Sequence, residues 1–117
     1  EISKRQKEII SATWNLIREK ESADSRSRDE IRDSTVMLSE LQRTLREQAL
    51  TLAERTRARQ LDSTNGQFRE FVENLEKAAA AMEPAAKKLG DQDLKGAVQP
   101  EQQALQYLLR ASQYLLS

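Results

Sequence analysis

From Arg28 to Arg59 the chain contains neither glycine nor proline, while Ile31, Leu38, Leu41, Leu45, Ala49 and Leu52 recur at intervals of three and four. An α-helix turns once in about 3.6 residues, so this spacing gathers the apolar side chains into one stripe along a single helix. Unbroken, that helix is about 45 Å long at a rise of 1.5 Å per residue. A rod of this kind buries its stripe against other helices, which makes an all-α domain the expected fold. The composition agrees: strong helix formers dominate, and there are only 3 Gly and 2 Pro in 117 residues. The length suits one domain over residues 1–117 and not two.

Three further helices are legible. In "EISKRQKEIISATWNLIREKES", Ile2, Ile9, Ile10, Thr13, Trp14, Leu16 and Ile17 fall on one broad face. After "LDSTNGQ", where Asn65 and Gly66 tolerate positive φ, Phe68, Phe71, Val72, Leu75, Ala78, Ala79, Met82, Ala86 and Leu89 keep a heptad-like seam. Pro84 predicts a kink or restart inside it, and Gly90 an end. Asp91 is the expected cap of a single turn carrying Leu94 inward, and Gln99 and Pro100 begin a last helix with Ala104, Leu105, Leu108, Ala111, Leu115 and Leu116 on its stripe. Loops are expected near 22–28, 61–66 and 90–99. The expected architecture is an antiparallel bundle of three long helices plus a shorter C-terminal one, with coiled-coil-like packing. The polar end of the second helix, "AERTRARQ", should protrude or find a partner.

Charge and residue usage exclude several functions. Lys plus Arg and Asp plus Glu are 19 each, so no global field attracts nucleic acid or an anionic bilayer. The chain has no Cys and no His, which removes thiolate and imidazole chemistry and the commonest transition-metal ligands. No apolar run approaches the roughly 18 residues of a membrane span. The chain opens on Glu1 and reads as a piece of a longer protein.

Candidate sites each have a plain structural alternative. "DQDLKGAVQPEQ" places Asp91, Asp93 and Gly96 where a calcium loop would, but Lys95 occupies a ligand position and Gln102 the closing one, so a capped turn is expected. Glu40, Glu47, Glu54, Glu70, Glu73 and Glu76 read as solvated faces, since a carboxylate di-metal bundle needs inward Glu-x-x-His pairs. The basic clusters Arg26, Arg28, Arg32 and Arg55, Arg57, Arg59 are offset by neighbouring acids and lack interleaved aromatics. Trp14 is expected in the core. Tyr107 and Tyr114 either cap the core or form a recognition strip. The alanine run "KAAAAMEPAAKK" permits close helix approach or, uncovered, self-association.

The positions Ala79, Met82, Ala86, Leu89, Ala97, Gln103, Ala104, Leu105, Leu108 and Ala111, with "KRQKEIISATWNLIREK" upstream, resemble the helical periplasmic region of large bacterial envelope proteins that carry N-terminal membrane helices. The resemblance implies an exported, membrane-anchored parent protein and no catalytic residue.

The expected function is therefore that of a non-enzymatic structural or protein-interaction module, acting through apolar helix faces on a protein partner or a second copy. Leu50, Leu52, Tyr107 and Tyr114 are the expected interaction face. No catalytic residue, metal site, cofactor or nucleic-acid partner is expected, and no membrane insertion by this stretch itself. The alternative is a ligand-sensing bundle with a small molecule between its helices, although the apolar stripes offer few polar groups to orient one.

Overall fold

A computed structural model describes residues 1–22, 25–59 and 66–116, which are helical apart from Glu1 and one turn at 91–93. Four helices follow one another: α1 (Ile2–Ser22), α2 (Ser25–Arg59), α3 (Gly66–Gly90) and α4 (Leu94–Leu116). Each packs chiefly on its two ring neighbours, in the order α1, α2, α3, α4 and back to α1, with α3 most extensively engaged. The molecule measures 58 × 20 × 19 Å, a helical bundle two helices wide in each short direction.

The lengths differ from expectation. α4 has 23 residues, more than the 21 of α1, so the last helix is not the short one. Its seam explains why. Leu94, Ala97, Glu101, Ala104, Leu108 and Ala111 are all buried and alternate at three and four straight across Pro100. Burial along that unbroken seam outweighs the one backbone hydrogen bond that Pro100 removes. α3 likewise runs through Pro84 without a restart. Pro84 and Ala80, whose carbonyl loses its donor, both face solvent, where water can serve that carbonyl instead.

The expected loop at 22–28 is mostly helix, because α2 already begins at Ser25. Its first turns are held by the ion pair of Asp29 with Arg32 and by the burial of Ile31. The expected loop at 61–66 lies outside the described residues except for Gly66, which opens α3.

The break at 90–99 shrinks to a tight turn. The Asp93 amide donates to Lys88 O at 2.8 Å and the Gln92 amide to Leu89 O at 3.0 Å, the paired bonds of a Schellman end. The left-handed position is Gln92, with φ of 64°, and not Gly90. Asp93, not Asp91, then caps α4: its Oδ1 accepts the Gly96 amide at 2.9 Å. A Cβ at Gly96 would collide with that same carboxylate, so glycine keeps the cap intact. Asp91 pairs with Lys87 at 3.0 Å. The stretch resembling a calcium loop is thus a capped turn followed by helix.

α2 and α3 are linked at three levels. Ser39 Oγ donates to Ala86 O at 2.8 Å, Arg46 approaches Glu83 at 3.4 Å, and Arg57 grips Glu76 with both Nη atoms at 2.9 and 3.1 Å. The polar end of α2 therefore finds its partner within the chain, and Ala49 and Ala53 are buried along the way.

Candidate functional site

Two features distinguish the α1 side of the bundle: a polar interior and an open apolar face. The interior contradicts the expectation of few polar groups on the core stripes. Gln6, Thr13, Thr35, Gln42 and Glu101 have no exposed surface at all. Gln6 and Gln42 exchange side-chain amide hydrogen bonds, Gln6 Nε2 to Gln42 Oε1 at 2.9 Å and Gln42 Nε2 to Gln6 Oε1 at 2.8 Å. Each amide satisfies the other, so neither is left with a wholly unpaired group. Thr13 lies seven residues after Gln6 and Thr35 seven before Gln42. Buried polar residues thus recur seven positions apart on both helices, and such residues fix alignment at some loss of stability.

Thr13 joins α1 to α4. Its Oγ1 lies 2.9 Å from Ile9 O and 2.8 Å from Glu101 Oε2. A hydroxyl has one proton, and the Ile9 carbonyl can only accept. When Thr13 donates to that carbonyl, its remaining bond is one in which a protonated Glu101 donates to Thr13. Burial points the same way. Desolvation pushes the Glu101 pKa from 4.5 up to about 8, although a hydrogen bond from Thr13 to the ionised form pulls back in the other direction. Glu101 Oε1 is buried without a hydrogen-bond partner. At neutral pH the bundle holds a carboxylic acid, not a carboxylate, between α1 and α4.

The open face lies between α1 and α2. Ile9, Ala12, Leu38 and Leu45 form the floor of a groove of about 420 Å³, and Leu41 stands in its wall. Exposed Arg5, Glu8, Thr44 and Gln48 edge it. Beside it, Met37 is 62% exposed and Leu41 52%, the two most exposed large hydrophobic side chains among the described residues. They are one helical turn apart and share a face of α2.

The expected interaction residues are not gathered in one place. Leu50 and Leu52 are two positions apart on α2 and so point about 200° from one another. Leu50, Tyr107 and Tyr114 are half-buried and pack against the core, while Leu52 is 38% exposed. The Tyr107 ring has Arg110 at 5.4 Å and Lys77 of α3 at 6.0 Å from its centroid, so it engages cations of its own chain. Trp14, expected in the core, is 42% exposed, because its position turns about 100° from that of Thr13, the buried centre of α1.

Sequence reasoning missed Glu101, Gln6, Gln42 and the Met37–Leu41 face. Glu101 had a signal, since it occupies the one position that keeps the α4 seam alternating at three and four. Among the described residues no helix is long and apolar enough to cross a membrane, and no group of three or more acidic side chains is placed to hold a metal ion. No protein-family model, no curated protein and no solved structure matches this chain.

Proposed function

We propose that this chain is a non-enzymatic interaction module: an antiparallel, coiled-coil-like bundle that presents the α1–α2 face to another protein. The observation that carries the reading is the exposure of Met37 and Leu41 beside an apolar groove, while the neighbouring seam of α2 is fully buried. The links Ser39 to Ala86, Arg46 to Glu83 and Arg57 to Glu76 support the antiparallel arrangement, because numbers rise along α2 as they fall along α3. The interior supports a structural role over a catalytic one: Glu101, an acid carried far from its ordinary pKa, is closed off from any substrate. A periplasmic or envelope setting in a bacterium rests on the resemblance of the helical pattern alone.

A small molecule lodged between helices draws its support from the same groove, whose volume falls in the range of ligand pockets. An open trough between two helices with exposed polar edges fits an amphipathic helix better.

The test is capture from an extract of the source cells, comparing the wild-type chain with a Met37→Glu, Leu41→Glu double variant. Both should show the same helical circular dichroism, since the two side chains are exposed. The wild type should retain a partner, a second copy included, that the variant loses. Equal retention by both proteins would exclude this face.

A further inference from the structure

The exposed stripe of α2 is a second heptad seam. Residues 30, 37 and 44 repeat at seven, as do 41, 48 and 55, and between 37 and 48 the two sets interleave at threes and fours. Glu30, Met37, Leu41, Thr44 and Gln48 each immediately precede a buried seam residue, namely Ile31, Leu38, Gln42, Leu45 and Ala49. The stripe thus lies one position around the helix from the core and faces solvent along its whole length. Its middle is apolar or uncharged. Its ends carry opposite charges, Glu30 toward the start and Arg55 toward the end, and neither forms an ion pair within the described chain.

We infer that the occupant of the α1–α2 face is a second copy of this chain, related by a twofold axis that sets α2 antiparallel to its counterpart. The inference rests on the interaction reading above and names its partner. In an antiparallel pair the facing residue numbers have a constant sum. Setting Leu41 against Thr44 brings Met37 against Gln48 and Glu30 against Arg55, each pair occurring twice by symmetry. The two unpaired charges of one chain therefore become two ion pairs of the dimer, and the two copies of Leu41, each beside the twofold axis, lie diagonally across from one another. A different protein would have to reproduce this charge order, whereas a second copy supplies it automatically. The groove floor, with Ile9 and Ala12, is covered when the two α1–α2 layers stack face to face.

The discriminating experiment is sedimentation equilibrium from about 1 µM to about 1 mM, across the range in which weak dimers form. The wild type should show a concentration-dependent dimer. Glu30→Arg alone sets four arginines in two facing pairs, and Arg55→Glu alone sets four glutamates, so each variant should dimerise about tenfold more weakly. An equimolar mixture of the two variants restores both opposite-charge pairs and should recover the wild-type affinity as a heterodimer. Both positions are exposed, and circular dichroism reports directly whether the variants remain folded. A monomer throughout the range overturns the second copy as occupant, and the capture experiment then decides independently whether the face binds anything. A dimer indifferent to single charge reversal, or a mixture no tighter than its components, overturns the antiparallel α2 pairing while leaving the interaction reading in place.

Discussion

The α3–α4 pair and the seat of α1 solve the same packing problem with different chemistry. The buried residues of α3 and α4 are almost all small or apolar, among them Ala78, Ala79, Met82, Ala85, Ala86 and Leu89 of α3, and Leu94, Ala97, Ala104, Leu108 and Ala111 of α4. Alanine lets two helices approach closely, and such contacts are indifferent to pH. α1 brings Ile9, Leu16 and Ile17 to the core, but it also brings Gln6 and Thr13, whose partners are Gln42 on α2 and Glu101 on α4. Apolar layers supply strength without much preference for register. Polar layers supply register, because a slip of one turn leaves buried amides and an acid without partners. α1 is therefore the most precisely specified helix of the bundle and the one whose seating is conditional.

The largest expected effect follows from Glu101. Its folded pKa of about 8 lies above its ordinary 4.5, so between these values the unfolded chain has released a proton that the folded chain retains. Stability then falls by roughly 1.4 kcal/mol for each pH unit across that window, is complete below it, and levels off above it. Glu101→Gln keeps a donor for Thr13 but cannot ionise. Its stability from urea unfolding at about pH 5, about pH 7 and about pH 9 should lack this slope, and the difference between variant and wild type isolates the one group. Parallel pH profiles would mean that Glu101 reaches solvent in the folded state.

A smaller effect separates register from strength at the next layer. Gln42→Leu alone strands the Gln6 amide in the core and should cost about 1–3 kcal/mol. Adding Gln6→Leu removes the stranded group, so the double variant should return to within about 1 kcal/mol of the wild type in denaturant unfolding. A double variant as unstable as the single one would show that the two sites matter for volume and not for hydrogen bonding.

The same division governs what could be read in advance. Helix content, the positions of α1 and α2 and the heptad seam of α3 were legible because apolar periodicity reports burial directly. Pro84 looked like an interruption and Pro100 like the start of a helix because a proline's local effect is visible in a sequence, whereas the burial of Leu94, Ala97 and Glu101 on either side of Pro100 belongs to the assembled bundle. Gln6, Gln42 and Glu101 were not legible as core residues for a similar reason. Whether Gln6 is buried depends on Gln42, thirty-six positions away, and no local pattern pairs them. The exposed Leu41 and Leu52 were counted into the buried stripe, since a stripe spans more than 100° and its margin cannot be told from its centre until the neighbours are placed.

The smallest effect concerns the turn that joins the two firmly packed helices. Gln92 holds φ at 64°, in the left-handed region where a side chain is strained and glycine is not. Gln92→Gly relieves that strain but also gives the unfolded chain more freedom, so the net gain should be about 0.5–1 kcal/mol. It acts on the α3–α4 junction and leaves Glu101 and Thr13 untouched, so the variant should raise stability equally at every pH. A thermal-unfolding series across the Glu101 window checks both halves of the expectation. Were the gain to vary with pH, the turn and the seat of α1 would be energetically coupled, and the contrast between a pH-independent pair and a conditional helix would have to be redrawn around the α4 N-terminus, where Asp93 and Glu101 lie eight residues apart on the same helix end.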